Sequence, residues 1–476
     1  MDNRELIRQK IQEYHPQMLK MLEELIAIDS RQMDAEEGKP FGAGVQEVYE
    51  YIQKKAAEDG FSFVNADNYG GHLEWTCDKG ADAETMGMLI HLDVVPAGDG
   101  WSSDPFKMEI RDGKIYGRGS VDDKGPAVSA YFAMKAIHDL GIKLDKNVRI
   151  IIGLDEETNW YGMNHYLSKI EGPDFGFVPD AEFPVINGEK GIIAFSMAKK
   201  FPKNGAEGIE LRSFTGGNAV NMVPDSARMV VMSEDPAVYE QLKEKAAKMT
   251  ADGKKVAAKG LGKTLEIITE GVSAHGARPE LGVNAISIMM EFASDLTFNN
   301  EGVNEFIKFY NEYLIYDTTG EKLGVNVSDE KSGHTNFNVG VIEMDDKAVD
   351  LQINVRIPVT YDDEFIYNTM MPTLEKYNIG VVKGKSQQAI YFEKDDPMVS
   401  KLMDVYRRIT GDADAEPEVI GGGTYARACD NFVAFGPVFP GEDDMCHRAD
   451  EYISEASFYQ AAEIYGEAIY ELCKAE

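Results

Sequence analysis

Cysteine is scarce in this chain. Only four occur among 476 residues, Cys77, Cys429, Cys446 and Cys473, and no two form a Cys-x-x-Cys pair. That usage argues against a disulfide scaffold and a structural zinc ribbon, and it suits a reducing cytoplasm, which is the expected location. Long apolar runs are missing too: nothing approaches the roughly 18–20 consecutive apolar residues of a membrane helix. The opening Met1-Asp-Asn-Arg-Glu is charged and leads into an amphipathic pattern without an apolar signal core, so a soluble, unexported protein is expected. Positive charge is in deficit as well. With 48 Lys and Arg against 82 Asp and Glu, the net charge is -34, which leaves no basic face for nucleic acid or an anionic membrane. A solvated acidic surface that aids solubility is the simplest account of the excess. No internal repeat and no low-complexity linker is evident.

What is present is enough for two domains. A chain of 476 residues exceeds the size at which single cores usually stop growing, and 43% hydrophobic content can fill two. Helical spacing runs over residues 4–28, with Pro16 expected to break or kink it, and again over residues 45–58. Strand-like segments follow at 61–64, 73–77 and 88–92, then a hairpin of 106–110 and 114–116 around Asp112-Gly113. Residues 124–140 read as a helix ended by Gly141, and the β-branched run 148–154 as a buried strand. Alternating strands and helices imply an α/β fold, a mixed sheet with helices on both faces.

Near residues 188–191 the character changes. From 191 to 386 the expected elements are strands at 192–198, 227–233 and 264–269, helices at 236–249 and 283–295, and paired strands at 337–343 and 348–357. This grammar implies an inserted α+β domain over 191–386 within a discontinuous domain of 1–190 and 387–476. Afterwards come a helix at 397–410, a strand at 432–435 and a closing helix at 454–473.

The stretch from Met86 to Pro126 draws attention first. His91 ends an apolar run, and Asp93 stands two positions on, where in a strand both would project from one face. Asp122 follows Gly-Arg-Gly-Ser-Val and precedes a helix. A histidine at a strand end and a carboxylate at a turn are good metal ligands, and a second carboxylate near the histidine can orient its ring. Ligands of such sheets sit at the carboxyl ends of strands, where Glu156 and Glu157 also fall. Adjacent carboxylates point in different directions, so one can bind metal while its neighbour handles a proton. Asp180 ends another short strand, and His447 sits in the loop Met445-Cys-His-Arg-Ala-Asp450. Of the remaining histidines, His15, His138, His165, His72 and His334 read as structural or surface groups. Together His91, Asp122, Glu157, Asp180 and His447 supply two imidazoles and three carboxylates, the mixture expected of zinc, or of manganese or cobalt in the same site. Two ions need more ligands than five single contacts provide. A bridging carboxylate solves the shortage, and Asp122 is the candidate.

The segments HLDVVPAGDGW, YGRGSVDDKGP, GLDEETNWYG, PDAEFPVINGEKG, VSAHGARPELGVNA, GGGTYARA and CHRADEY occur in that order across nearly the whole chain. This set resembles the M20 metallopeptidases and, within them, the PepV-like dinuclear zinc dipeptidases. The resemblance implies that His91, Asp122 and Asp180 hold one zinc and that Asp122, Glu157 and His447 hold the other. It selects Asp122 over Asp123 through the pattern Asp-x-Lys-Gly. It makes Asp93 the orienter of His91 and Glu156 the general base for a zinc-bridging hydroxide.

In the inserted domain, His275 resembles a lid histidine that stabilises the oxyanion. Asn221 and Arg356 resemble substrate contacts, the arginine being suited to a terminal carboxylate. Each has a plainer reading, Asn221 as a turn cap before Pro224 and Arg356 as a strand arginine in an ion pair. The loop Gly421-Gly-Gly-Thr-Tyr-Ala-Arg427 lacks the Gly-Lys-Ser/Thr ending of a nucleotide cradle. It reads as a backbone wall of a peptide pocket, with Thr424 and Arg427 near the substrate's carboxylate end. The expected activity is hydrolysis of short unblocked peptides, above all dipeptides, with an N-acyl amino acid deacylase or related amidohydrolase as the alternative. In PepV-like proteins a large lid made of two related halves lets one chain close its own site, and the 191–386 insert is generous for one small lid, so the resemblance implies a monomer with His275 acting in cis.

Overall fold

A computed structural model describes residues 2–202 and 207–475. They form two compact units, one of residues 2–187, 392–418 and 423–475, the other of residues 188–202, 207–391 and 419–422.

The first unit is built on a mixed sheet. Its strands run in the order Ser62–Asn65, Gly71–Trp75, Asn147–Gly153, Thr85–His91, Phe175–Val178 and Phe432–Phe435, with Val185 and Ile186 pairing antiparallel at the end. The central strand Thr85–His91 is parallel to both neighbours and buried at every residue. That explains its continuous apolar run, since a strand covered on both faces has no polar side. Met86, Met88 and Ile90 enter a core shared with the helices Asn3–Ile26, Lys124–Asp139 and Glu455–Cys473. The alternate residues Leu89 and His91 face the other way, and His91 meets the ring of Tyr425 there. On that second face the helix Tyr161–Lys169 also packs, its Tyr166 hydroxyl lying 2.7 Å from His72 Nδ1.

Pro16 does not break the first helix, which runs unbroken from Asn3 to Ile26. Pro16 and Gln12, the residue whose carbonyl loses its partner, both lie on the solvent face, where water can satisfy the orphaned oxygen. Asp93 also departs from expectation, because the strand stops at His91 and Asp93 lies beyond it.

The second unit is an eight-stranded antiparallel sheet. Its order is Lys255–Leu261, Thr264–Glu270, Ser226–Met232, Glu210–Gly216, Asn336–Met344, Ala348–Ile357, Gly191–Lys200 and Gly380–Gln387. The helices Pro236–Ala251, Ala285–Ala293, Glu301–Tyr313 and Asp363–Lys376 complete its core. Three of these elements carry little sequence signal. Gly380–Gln387 is an exposed edge strand without alternation, Lys255–Leu261 is mostly exposed, and Asp363–Lys376 contains Pro372. No helix among the described residues is long and apolar enough to cross a membrane.

Candidate metal centre

Five side chains from five separate segments meet at the carboxyl end of the first unit's sheet. His91 is the last residue of its strand and fully buried. Its Nδ1 lies 3.0 Å from the Asp93 carbonyl oxygen, which fixes the tautomer with the proton on Nδ1 and the lone pair on Nε2. Nε2 in turn lies 3.0 Å from Asp122 Oδ1 and 3.5 Å from Asp180 Oδ2. The other oxygen of Asp122, Oδ2, lies 3.0 Å from His447 Nε2, which is also 3.1 Å from Glu157 Oε2. Asp122 thus faces an imidazole with each oxygen. Asp123 turns away from this cluster, its Oδ2 accepting the backbone N–H of His91 at 3.0 Å.

Asp93 works differently from a simple ring orienter. Its carbonyl is the nearer partner of His91, while its carboxylate lies 3.5 Å from Nδ1. The carboxylate oxygens accept the backbone N–H groups of Glu156 and Glu157, each at 3.1 Å. One buried aspartate therefore aligns both the histidine and the Glu-Glu turn.

The donor set fits divalent cations. His91 Nε2 and Glu157 Oε1 are buried yet make no well-directed hydrogen bond within the protein. With ligand bonds of 2.0–2.1 Å, donors around a tetrahedral zinc stand about 3.3 Å apart, close to the spacings above. His91, Asp122 and Glu157 can reach a common ion, each offering one atom within 4.8 Å of the others.

The protonation of the cluster reflects crowded negative charge. Burial and the charge of Asp122 push Glu157 up to about 7 and raise Asp180. Burial also holds Glu156 well above the usual carboxylate range, reinforced by Asp180, Glu157 and Asp122. Burial works against the ionised form of Asp122 as well, but its two histidines outweigh it and draw the group down. Hydrogen bonds with Asp122 and Glu157 push His447 up to about 11. His447 and Asp450 both adopt left-handed backbone angles, φ 65° and 55°, a conformation that costs an ordinary residue about 1 kcal/mol or more.

Tyr425 is a contact the sequence reading passed over. Its ring stands edge-on to His91 with centroids 6.2 Å apart, and against Trp160 at 4.8 Å. Gly153, paired with His91 across the sheet, makes room for it: a Cβ there would fall 2.4 Å from the Tyr425 ring. Thr424, beside it, accepts the Ala426 N–H at 3.1 Å and caps the short turn Tyr425–Ala428. Arg427, in the same turn, is half-buried.

The second unit joins the Asn221 and His275 loops through backbone contacts and ties Arg356 to them through its side chain. Gly276 donates to the Asn221 carbonyl at 2.7 Å, and Met222 bridges to His275. The buried Asn338 side chain holds the Asn221 loop by donating to Val220 O and Met222 O, both at 2.9 Å. Arg356 is buried, donating to Asn354 Oδ1 and to the Gly421 carbonyl, both at 2.9 Å. Gly421 also abuts Ala277 of the His275 loop, since a Cβ on it would lie 2.9 Å from Ala277 Cβ.

The sequence pattern of Peptidase family M20/M25/M40 runs through residues 87–471. The chain belongs to this family. It is 39% identical over 473 residues to a Staphylococcus haemolyticus protein named "Putative dipeptidase", covering 98% of this chain and 99% of that one. A Staphylococcus saprophyticus protein of the same name is 37% identical over 476 residues, covering 98% and 100%. Among solved structures, human carnosine dipeptidase 1 aligns with a TM-score of 0.59 at 16% identity over 99% of both chains. The Saccharomyces cerevisiae di-peptidase Dug1p aligns with a TM-score of 0.58 at 14% identity over 98% of both. At such identities the likeness is one of fold. As an M20 peptidase, the chain falls in a family whose metallopeptidases use metal ions.

Proposed function

We propose that this M20 peptidase is a metal-dependent dipeptidase whose metal centre is the His91, Asp122, Glu157, Asp180 and His447 cluster. The observation that carries the reading is Asp122, a carboxylate with an imidazole 3.0 Å from each oxygen. His91 and Asp180 would hold one ion, Glu157 and His447 the other, with Asp122 shared. The donor chemistry suits zinc, and manganese or cobalt as well. Two cations held there would polarise the scissile carbonyl and acidify the attacking water.

This chain's own residues supply the proton transfers and the positioning. In this reading Glu156 is left off the ligand set to take a proton from water and pass it to the leaving amine, and burial raises its affinity for a proton. The carboxylate of Asp93 fixes the Glu156 backbone and so the reach of that base. In the same reading His275 donates to the developing oxyanion, Asn221 and Arg356 bind the substrate, and Thr424 and Arg427 flank its carboxylate end. The relatives named as dipeptidases support short peptides as the substrate class.

The test is hydrolysis by metal-loaded protein of a panel of unblocked dipeptides and their N-acetylated forms. Cleavage of the unblocked set is expected. Cleavage confined to the N-acetylated set would assign a deacylase instead, and no cleavage of either would sink the reading.

A further inference from the structure

Ligands His447 and Asp122 come from distant parts of the chain, and one side chain ties their loops together. Glu451, four residues after His447, is fully buried. Its Oε1 accepts the backbone N–H of Val121 at 3.0 Å and of Asp122 at 3.2 Å. Its Oε2 accepts the N–H of Gly119 at 3.2 Å and Arg118 NH1 at 2.5 Å. Even its carbonyl is used, accepting the Gly117 N–H at 3.1 Å. Four backbone N–H groups of the turn from Gly117 to Asp122 are thus held by this glutamate. Just beyond it, Tyr452–Ser454 pairs antiparallel with Lys114–Tyr116, fixing the register of the two segments.

The other half of the pair is equally confined. Arg118 is 1% exposed, and its NH2 donates to the carbonyls of Pro96 and Ala97 at 3.3 and 3.2 Å. Burying two charges carries a desolvation penalty that well-packed apolar side chains would avoid, so stability alone explains the pair poorly. Geometry explains it better, because three of the four donors to the Glu451 carboxylate are backbone groups of the segment that ends in Asp122.

We infer that Glu451, held by Arg118, is a positioning residue of the metal centre, setting the Asp122 carboxylate between His91 and His447. This inference rests on the metal-centre reading above. A glutamine cannot replace it. Both carboxylate oxygens face only donors, so either orientation of the amide would turn its NH2 group against N–H groups.

The experiment compares wild type with Glu451→Gln after both are stripped of metal by a chelator. Each is titrated with Co2+, followed by calorimetry and by visible absorption, and the stripped proteins are compared by thermal unfolding. Outer-layer changes at metal sites commonly cost about 10- to 100-fold in affinity, and a loss of that size with an altered Co2+ spectrum is expected. Co2+ affinity within about threefold of wild type with an unchanged spectrum would reduce Glu451 to a structural role, whatever the unfolding temperature does. If Glu451→Gln does not fold, Arg118→Lys is read in its place. It leaves the three backbone bonds intact and is expected to lose affinity in the same direction but by less, and no loss would overturn the inference. Wild type that binds no Co2+ would overturn the metal-centre reading itself, and this inference with it.

Discussion

The two units prepare their candidate residues in opposite ways. In the first, side chains from five segments bring their donor atoms within 3.0–3.5 Å of one another. Asp93, Asp123 and Glu451 hold the backbones behind them through buried or partly buried hydrogen bonds. In the second, the backbones of the Asn221 and His275 loops are joined and both residues, like His447 of the first unit, are exposed, while Arg356 is buried. A centre that must place charge at fixed points needs rigid side chains, while groups that meet a variable peptide need only a fixed loop. Substitutions in the first unit should therefore act on kcat or on metal binding, and those in the second partly on KM.

The largest expected effect is at Glu156. Glu156→Gln should lower kcat by about 10²- to 10⁴-fold while leaving metal content unchanged by elemental analysis. A kcat within tenfold of wild type would remove Glu156 as the base. Next comes His275→Ala, expected to lower kcat by about 10²-fold, the worth of one oxyanion donor, without changing metal content. A change confined to KM would instead make His275 a binding group, and the contrast between the units would sharpen. Arg356→Lys is expected to raise KM by about tenfold with kcat nearly unchanged, since a lysine loses the fork that grips a carboxylate. C-terminally amidated peptides should not feel that substitution. If they do, Arg356 acts through the loop at Gly421 and not on substrate.

The clustering of the candidate residues of the first unit was legible in the sequence because their residue types are those of metal ligands. Histidine and acidic residues after apolar runs mark strand ends, and these are where His91, Glu157 and Asp180 stand. Choosing Asp122 over Asp123 needed the family pattern, as spacing alone cannot tell which of two adjacent aspartates faces the imidazoles. Glu451, Arg118, Asn338 and Tyr425 escaped notice for a physical reason. They act on backbone groups or by ring packing, and such roles leave no signature in spacing. In the second unit the missed elements include Gly380–Gln387, where alternation is lost at an exposed edge, and Asp363–Lys376, where a proline hides a helix, but also Glu210–Gly216 and the amphipathic Glu301–Tyr313, which neither cause explains. Pro16 taught the same lesson, since its effect depends on which face of the helix it occupies.

The smallest expected effect separates the scaffold from the site, and it concerns a second buried histidine of the same sheet. His91 and His72 are both nearly inaccessible to water. Around His91 burial favours the neutral ring, yet Asp122, Asp180 and Asp93 outweigh it and raise its affinity for a proton. Around His72 there is no such company: burial, with the nearby charge of Arg149, lowers it to about 3. The unfolded chain, with a histidine near its ordinary value of about 6.5, therefore binds a proton between about pH 6.5 and pH 3 that the folded chain refuses. The stability associated with neutral His72 is complete above about pH 6.5 and is lost as pH falls, by at most about 1.4 kcal/mol per pH unit. His72→Gln removes this titration. Urea unfolding at pH 7.5, 6 and 5 should show wild type losing its advantage over the variant as the pH drops. A gap that stays constant over that range would mean that His72 is protonated within the fold, and that the two histidines differ less than their surroundings imply.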